Sequence, residues 1–145
     1  MDIFFSDDPR RNARIIILQE LFAETFSNVS QDLTGEYESV VFEREKYDAI
    51  KKALLASMKE IDSLIQKYAK ERPIADLNPI DLHILRIGIA EAFFAQLAPP
   101  KVVINESVEI AKQYGTESSF KFVNGVMGAI LAKEFSSLNP ANESK

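Results

Sequence analysis

Apolar residues along this chain recur at intervals of three and four positions, which is the period of an α-helix with one buried face. The first helix is expected to begin at Pro9, because proline suits the first helical position and Asp7 or Asp8 can cap the free N–H groups. No segment shows the two-residue alternation of a strand, so the pattern predicts an all-α protein. The apolar stripe of the first helix comprises Ile15, Leu18, Phe22 and Phe26.

A long helical stretch follows over about 43–71 and is expected to divide near Ser57. The pair Arg72-Pro73 should end it, because the residue before a proline disfavours the helical conformation. The loop between 72 and 79 has prolines on both sides and marks a boundary between two parts of the chain.

Three further helices complete the predicted fold. Asn78 caps and Pro79 opens a largely apolar helix, which we expect at the centre of the core. The next helix, over 101–114, should be stopped by Gly115 in a left-handed cap, and the last runs to about 135. The sequence thus predicts a compact helical domain of about six to seven helices in two small bundles.

The last helix carries two more expectations. Thr116 or Ser118 is predicted to cap its N-terminus. Gly125 and Gly128 each cost about 1 kcal/mol relative to alanine inside a helix. We therefore expect a neighbouring helix to approach closely at these two glycines.

The domain organisation follows from these boundaries. We predict a single domain over 1–145, with subdomains over about 1–72 and 79–136. The polar tail, 137–145, is expected to fray.

Composition narrows the class of protein. The 145 residues carry a formal net charge of -5 and no cysteine, which removes disulfides and thiolate metal sites and suits a reducing cytoplasm. No apolar run approaches the roughly 20 residues that span a bilayer, and the N-terminus lacks the basic region of a secretory signal. We expect a cytoplasmic protein without membrane contact. The acidic balance leaves room for a small basic patch.

Catalytic chemistry has little support in the sequence. His83 lies in an apolar helix, with no second histidine for a metal pair. Glu106 and Glu109 are three residues apart on one helix, where a solvated face beside Lys112 accounts for them better than an acid/base pair. We therefore expect neither an enzyme nor a cofactor or metal site.

A cluster of arginines at the start of the first helix suits phosphate binding. Arg10, Arg11 and Arg14 fall within an arc of roughly 100°, and the helix dipole adds positive potential there. The core stripe shares this arc, so the helix should project past the core edge at these arginines. Guanidinium forks match phosphate geometry. The alternative is that the preceding Asp2, Asp7 and Asp8 neutralise the cluster.

A second group lies at the start of the last helix. Lys121, Phe122 and Asn124 combine a cation, an aromatic ring and an amide. Such groups meet phosphate, stack on a base and read a base edge in single-stranded nucleic acid. The alternative is that Phe122 belongs to the core stripe with Val126 and Ala129.

Three segments carry a specific resemblance when taken in order. They are RRNARIIILQELF at 10–22, ILRIGIAE at 84–91 and INESVEIAKQYGTESSFKFVNGVM at 104–127. Together they resemble the NusB family of bacterial transcription antitermination factors: an arginine-rich opening helix, a central helix and the family's most characteristic block. The similarity covers nearly the whole chain.

The resemblance implies a factor that binds the boxA element of nascent ribosomal RNA transcripts. It also implies the partner NusE, a small-subunit ribosomal protein, and an antitermination complex on RNA polymerase. The factor would act by occupancy, with no bond made or broken. By position, the RNA-binding residues would be Arg10, Arg11, Arg14, Lys101, Lys121 and Phe122. The NusE face would include Phe22, Asp81 and Glu91.

Two other functions stay open at this stage. A helical protein–protein adaptor would leave the basic cluster incidental, whereas a homodimer would cover the RNA face with a second subunit. Asp81 also lies near the start of its helix, where a carboxylate favours the helix dipole, so its role could be helix stabilisation alone.

Overall fold

The structure, a computed structural model, describes residues 4–135. Over this range it contains five α-helices and no β-strand, which confirms the all-α prediction. Two 3-10 turns and one π-helical turn add to these, so the count of α-helices is slightly below the predicted six to seven. The α-helices are α1 (Pro9–Ser27), α2 (Arg44–Tyr68), α3 (Pro79–Ile89), α4 (Pro100–Tyr114) and α5 (Ser119–Lys133).

Helix α1 begins as predicted. The Asp8 carboxylate accepts a hydrogen bond from the N–H of Arg10 at 2.9 Å, and Pro9 occupies the first position. The predicted apolar stripe is too long, however, because Phe22 is only half-buried and Phe26 is 71% exposed. The helix therefore leaves the core near its C-terminal end, not at its arginine-bearing start.

Helix α2 bends at Ser57, whose φ of -129° and ψ of 20° are non-helical, as the sequence predicted. The helix ends at Tyr68, three residues before the predicted end at 71. Its last backbone bond joins the N–H of Ala69 to the carbonyl of Ile65, so Pro73 does not terminate it. A 3-10 turn at Ile74–Asp76 then leads to α3.

Helix α3 lies at the centre, in contact with each of the other four α-helices. The Asn78 side chain accepts the N–H of Ile80 at 2.9 Å, which confirms the predicted cap. At its C-terminal end the chain continues into a π-helical turn, Ala90–Ala95, where the N–H of Gln96 bonds to the carbonyl of Glu91.

The close helix approach occurs at Gly88 of α3. A Cβ there would lie 2.6 Å from the Ser107 hydroxyl of α4 and 2.8 Å from the Met127 methyl group of α5. The prediction for Gly125 and Gly128 is wrong, since a Cβ at either would meet nothing within 4 Å.

The connection from α4 to α5 also differs from the prediction. Gly115 is extended, with φ of -93° and ψ of -167°, and is not left-handed. A Cβ at Gly115 would clash with the Ser119 side chain, so the residue is needed for space. Neither predicted cap operates through its side chain; instead the N–H of Thr116 donates to the Ser119 hydroxyl at 2.9 Å.

One buried apolar cluster includes residues from all five α-helices and from both sides of the 72–79 loop. The division into subdomains stays a prediction, and the tail at 137–145 lies outside the described residues. None of the helices in 4–135 has the length and apolar character needed to cross a membrane.

Candidate nucleic-acid interface

The arginine cluster at the start of α1 is only partly at the surface. Arg10 extends outward, with 62% of its side chain exposed and a 3.3 Å contact to Asp8. Arg11 is held by Glu106 of α4 in a two-pronged ion pair, with N–O distances of 2.8 and 3.1 Å. The cluster is therefore partly neutralised. Glu106, which is distant in sequence, contributes more to this than the preceding aspartates do. Asp2 lies outside the described residues.

Arg14 lies inside the protein. Its guanidinium donates to both oxygens of Glu91 at 2.6 and 2.7 Å, and the ammonium of Lys46 donates to the same carboxylate at 2.7 Å. The side chains of Arg14 and Glu91 are 4% and 0% exposed. Burial opposes the charge on Glu91, but the hydrogen bonds and charges of the two cations outweigh it and hold the pKa of that carboxyl below its usual range.

This buried network changes the expected picture of two predicted site residues. The predicted roles of Arg14 in RNA contact and of Glu91 in NusE contact would each require the ion pair to open. The expectation that α1 projects past the core at its arginines is wrong. Arg14 is buried there, because its charge is balanced by the buried carboxylate of Glu91.

The second predicted group lies on an open groove, which we call the α2–α5 groove. Lys121 and Phe122 face the end of α2 and the turn after it across a volume of about 520 Å³. Lys70 and Arg72 add two cations, against the single carboxylate of Glu71. None of the three cations forms an ion pair with a carboxylate in the described part of the chain.

Phe122 satisfies both interpretations of its sequence position. It is half-buried and packs against the core cluster, and it also lines the groove. The nearby ring of Phe120 contacts two ammonium groups, those of Lys112 at 5.4 Å and Lys121 at 5.9 Å from the ring centre. Asn124 is exposed on the same helix. The start of α5 thus presents rings and cations together.

Lys101 does not join this groove. It is exposed in the first turn of α4, about 20 Å along the helix from Tyr114. Helix α5 begins beside the other end of α4, since Phe120 contacts Lys112. Lys101 and Lys121 therefore lie at opposite ends of α4.

The residues predicted for the partner face come together in part. The hydroxyl of Thr25 lies 2.6 Å from His83 Nε2, which brings the last turns of α1 to the first turns of α3. Phe22 packs edge-on against the exposed Phe26, and Asp81 is 9% exposed. One oxygen of Asp81, Oδ1, is buried without a hydrogen-bond partner among residues 4–135.

His83 is buried and neutral. Arginine only donates, so the contact of Arg86 with Nδ1 at 3.4 Å puts the ring proton on Nε2, facing Thr25. Burial, and then the charge of Arg86, lower the pKa of His83 to about 4 despite the nearby carboxylate of Asp62.

Sequence reasoning missed three residues of this surface. Lys70 and Arg72 lie in the irregular segment after α2, about 50 residues before Phe122, so only the fold brings them to its ring. The role of Glu106 was missed because its partner, Arg11, is 95 residues away. The sequence does contain one indication that Arg14 needs a carboxylate partner: this charged residue lies within the apolar stripe of α1.

Comparisons with known proteins agree with this fold. A model of the NusB family matches residues 11–132. The transcription antitermination protein NusB of Methylacidiphilum infernorum is 38% identical over 128 residues, covering 84% of this chain and 90% of that protein. The one from Finegoldia magna is 32% identical over 137 residues, covering 86% and 95%.

Solved structures give the same result. A T. maritima NusB structure matches with a TM-score of 0.73 and 30% identity, covering 88% of this chain and 94% of that one. A chain in a crystal structure described as that of a plectonemic RNA supercoil matches with a TM-score of 0.75 and 26% identity, covering 88% and 96%.

The fold and these matches define an all-α homologue of transcription antitermination factors. The chain belongs to the NusB family.

We predict that Glu91→Gln lowers the free energy of unfolding by about 3–5 kcal/mol, because it removes the buried carboxylate to which Arg14 and Lys46 both donate. Urea denaturation measures the loss. The control is Glu109→Gln, because the carboxylate of Glu109 is half exposed in a surface ion pair. This substitution should lower the free energy of unfolding by less than about 1 kcal/mol. Equal, small effects would contradict the central role of Glu91.

We predict that His83 makes stability fall as the pH is lowered from about 6.5 to about 4. In this window the unfolded chain binds a proton that the folded protein does not, and the loss amounts to about 3 kcal/mol. Urea denaturation of wild type and His83→Gln across this range tests it. The variant lacks this part of the pH dependence, so parallel stability curves would refute the prediction.

Proposed function

We propose that this chain binds the boxA element of nascent ribosomal RNA together with NusE, and joins the antitermination complex on RNA polymerase in the cytoplasm. The observation that carries the RNA-binding part is the α2–α5 groove. There Lys70, Arg72 and Lys121 surround a half-buried ring, that of Phe122, with few acidic neighbours.

The chemistry of the groove suits a single strand. A base can stack on the open side of Phe122, and the three cations can meet the phosphates that flank it. An open groove admits an unpaired strand, whereas a duplex hides the faces of its bases in the stack. Arg10, which extends outward from α1, would add a further phosphate contact, and so would Arg11 where phosphate replaces Glu106.

The proposal for NusE rests on the other end of α1. Arg10 and Phe22 are twelve residues apart, which is about 18 Å along the helix. The exposed Phe26 offers apolar area beside Phe22, and Asp81 adds a negative charge in the first turn of α3.

Two separate surfaces support a mechanism of occupancy. RNA and NusE could be held at the same time, because neither predicted face covers the other. The factor would then keep the transcript beside the polymerase without a catalytic step. Lys101, at the far end of α4 from the groove, would contact a more distant part of the strand.

The direct test is a titration with a short, labelled boxA-like RNA at several salt concentrations, followed by fluorescence anisotropy. With about three to five phosphate contacts, we expect the slope of log K against log salt to be roughly -2 to -4. A duplex of the same sequence should bind more weakly. A slope near zero, or equal binding of single strand and duplex, would refute the phosphate-and-stacking account and leave the adaptor function favoured.

We predict that Phe122→Leu weakens binding of this RNA by about 1–3 kcal/mol, because leucine keeps the apolar contact with the core but cannot stack on a base. Phe93→Leu is the matched control, since that ring is 3% exposed and distant from solvent. The control should lower the melting temperature without changing RNA affinity. Unchanged affinity for Phe122→Leu would assign the ring to the core alone.

We predict that Asp81→Ala slows association with NusE and weakens its binding by about 1 kcal/mol, because a charge at the rim of an interface steers its partner. Isolated stability should fall by less than about 1 kcal/mol, because the buried oxygen has no partner in 4–135 and only the helix-dipole contribution is lost. Surface plasmon resonance with immobilised NusE gives the affinity.

The control for this experiment is Asp76→Ala, an exposed carboxylate in the turn before α3. It should leave NusE binding unchanged. If Asp81→Ala lowers only the melting temperature, the residue serves the helix alone, and its place on the NusE face is contradicted.

A further inference from the structure

We propose that Phe4 is a rigid stacking platform for one base of single-stranded RNA, an inference that rests on the proposed RNA-binding function. The residue precedes α1 and is absent from the predicted site. Its side chain is 59% exposed.

The backbone of Phe4 is clamped to the end of α4. Its N–H donates to the hydroxyl of Tyr114 at 2.9 Å, and the same hydroxyl donates to its carbonyl at 2.7 Å. The side-chain amide of Gln113 donates to that carbonyl at 3.0 Å. Three hydrogen bonds thus fix a residue whose own side chain is largely in solvent.

The rest of the segment is also held in place. The N–H of Ser6 donates to the side chain of Asn12 in α1 at 2.8 Å, and the Asn12 amide donates back to the carbonyl of Ser6 at 2.9 Å. The ring of Phe5 turns inward and packs edge-on against Tyr37 at 4.9 Å. Phe5 therefore anchors the segment to the core, and the ring of Phe4 is not needed for that purpose.

The platform lies along the same face of α4 as a guanidinium of the arginine cluster. Arg11 bonds to Glu106 and Phe4 bonds to Gln113, and these two α4 residues are seven positions apart. Seven residues are two turns, so both contacts fall on one face, about 11 Å apart along the axis. Phe4 also lies at the end of α4 beside which α5 begins.

The isolation of the ring favours a base over a protein partner. Protein interfaces bury contiguous apolar patches, but the adjacent ring of Phe5 faces the core. A single exposed aromatic face is what one unstacked base requires. Because the backbone is already clamped, stacking would cost little further ordering of the chain.

The chain contains no tryptophan, so Phe4→Trp creates one spectroscopic reporter at the platform. We expect its fluorescence to be quenched by a short single-stranded boxA-like RNA, with the same Kd that anisotropy of the labelled RNA gives. Phe26→Trp, at the other end of α1, is the matched control and should not respond. Phe4→Ala should weaken RNA binding about tenfold without changing the melting temperature.

Three results would overturn the proposal. If the fluorescence of Phe4→Trp is not quenched although anisotropy shows that RNA is bound normally, Phe4 is not a stacking platform, and the RNA-binding function is unaffected. A response to purified NusE without RNA, but none to RNA, would make the ring a protein contact. No RNA binding by the wild-type chain, in anisotropy, would overturn both this proposal and the function on which it rests.

Discussion

The buried carboxylate of Glu91 is the interaction on which the arrangement of the helices depends. Arg14 of α1 and Lys46 of α2 both donate to it, so one carboxylate ties three parts of the chain together. Ion pairs of this kind give little net stability, because desolvation offsets most of the attraction. Their effect is on geometry, since any helix shift that breaks one bond leaves a charge buried without a partner.

The π-helical turn places this carboxylate. The N–H of Gln96 bonds to the carbonyl of Glu91, five residues earlier, so Glu91 begins a turn wider than an α-helical one. From Glu91 the network continues outward, because the guanidinium of Arg14 is also 3.6 Å from Glu106, which holds Arg11. The arginines of α1 thus form a gradient from a buried structural residue to an exposed one, Arg10.

Local rules predicted much of the fold from sequence. The caps at Asp8 and Asn78 depend on a few adjacent residues, so the sequence contains their cause. The close approach at Gly88 could not be located in this way, because it depends on Ser107 and Met127 from two other helices.

In the candidate site, too, the sequence predicts what depends on adjacent residues and does not predict what depends on distant ones. Sequence alone located the cation and the ring at the start of α5, since Lys121 and Phe122 are neighbours in the chain. It could not add Arg72, which the fold brings to the groove from another segment, and it could not pair Arg14 with a carboxylate 77 residues away. Helical periodicity assigns a residue to a face but does not identify what covers that face.

The exposed parts of the two predicted surfaces, around Arg10 and around Phe22, share α1 but no side-chain contact that the structure describes. The buried ion pair of Arg14 and Glu91 does join one predicted residue of each surface. Sites more than about 10 Å apart without shared partners behave additively, so the proposed function implies nearly independent binding of RNA and NusE. Any strong cooperation between them would then come from contacts that NusE itself makes with RNA, or from a second arrangement of the buried network. The Glu91 network makes the latter costly, because a shift of α1 against the π-helical turn after α3 separates buried charges. The rigidity that fixes Arg10 and Phe22 at opposite ends of α1 therefore favours a passive scaffold over an allosteric switch.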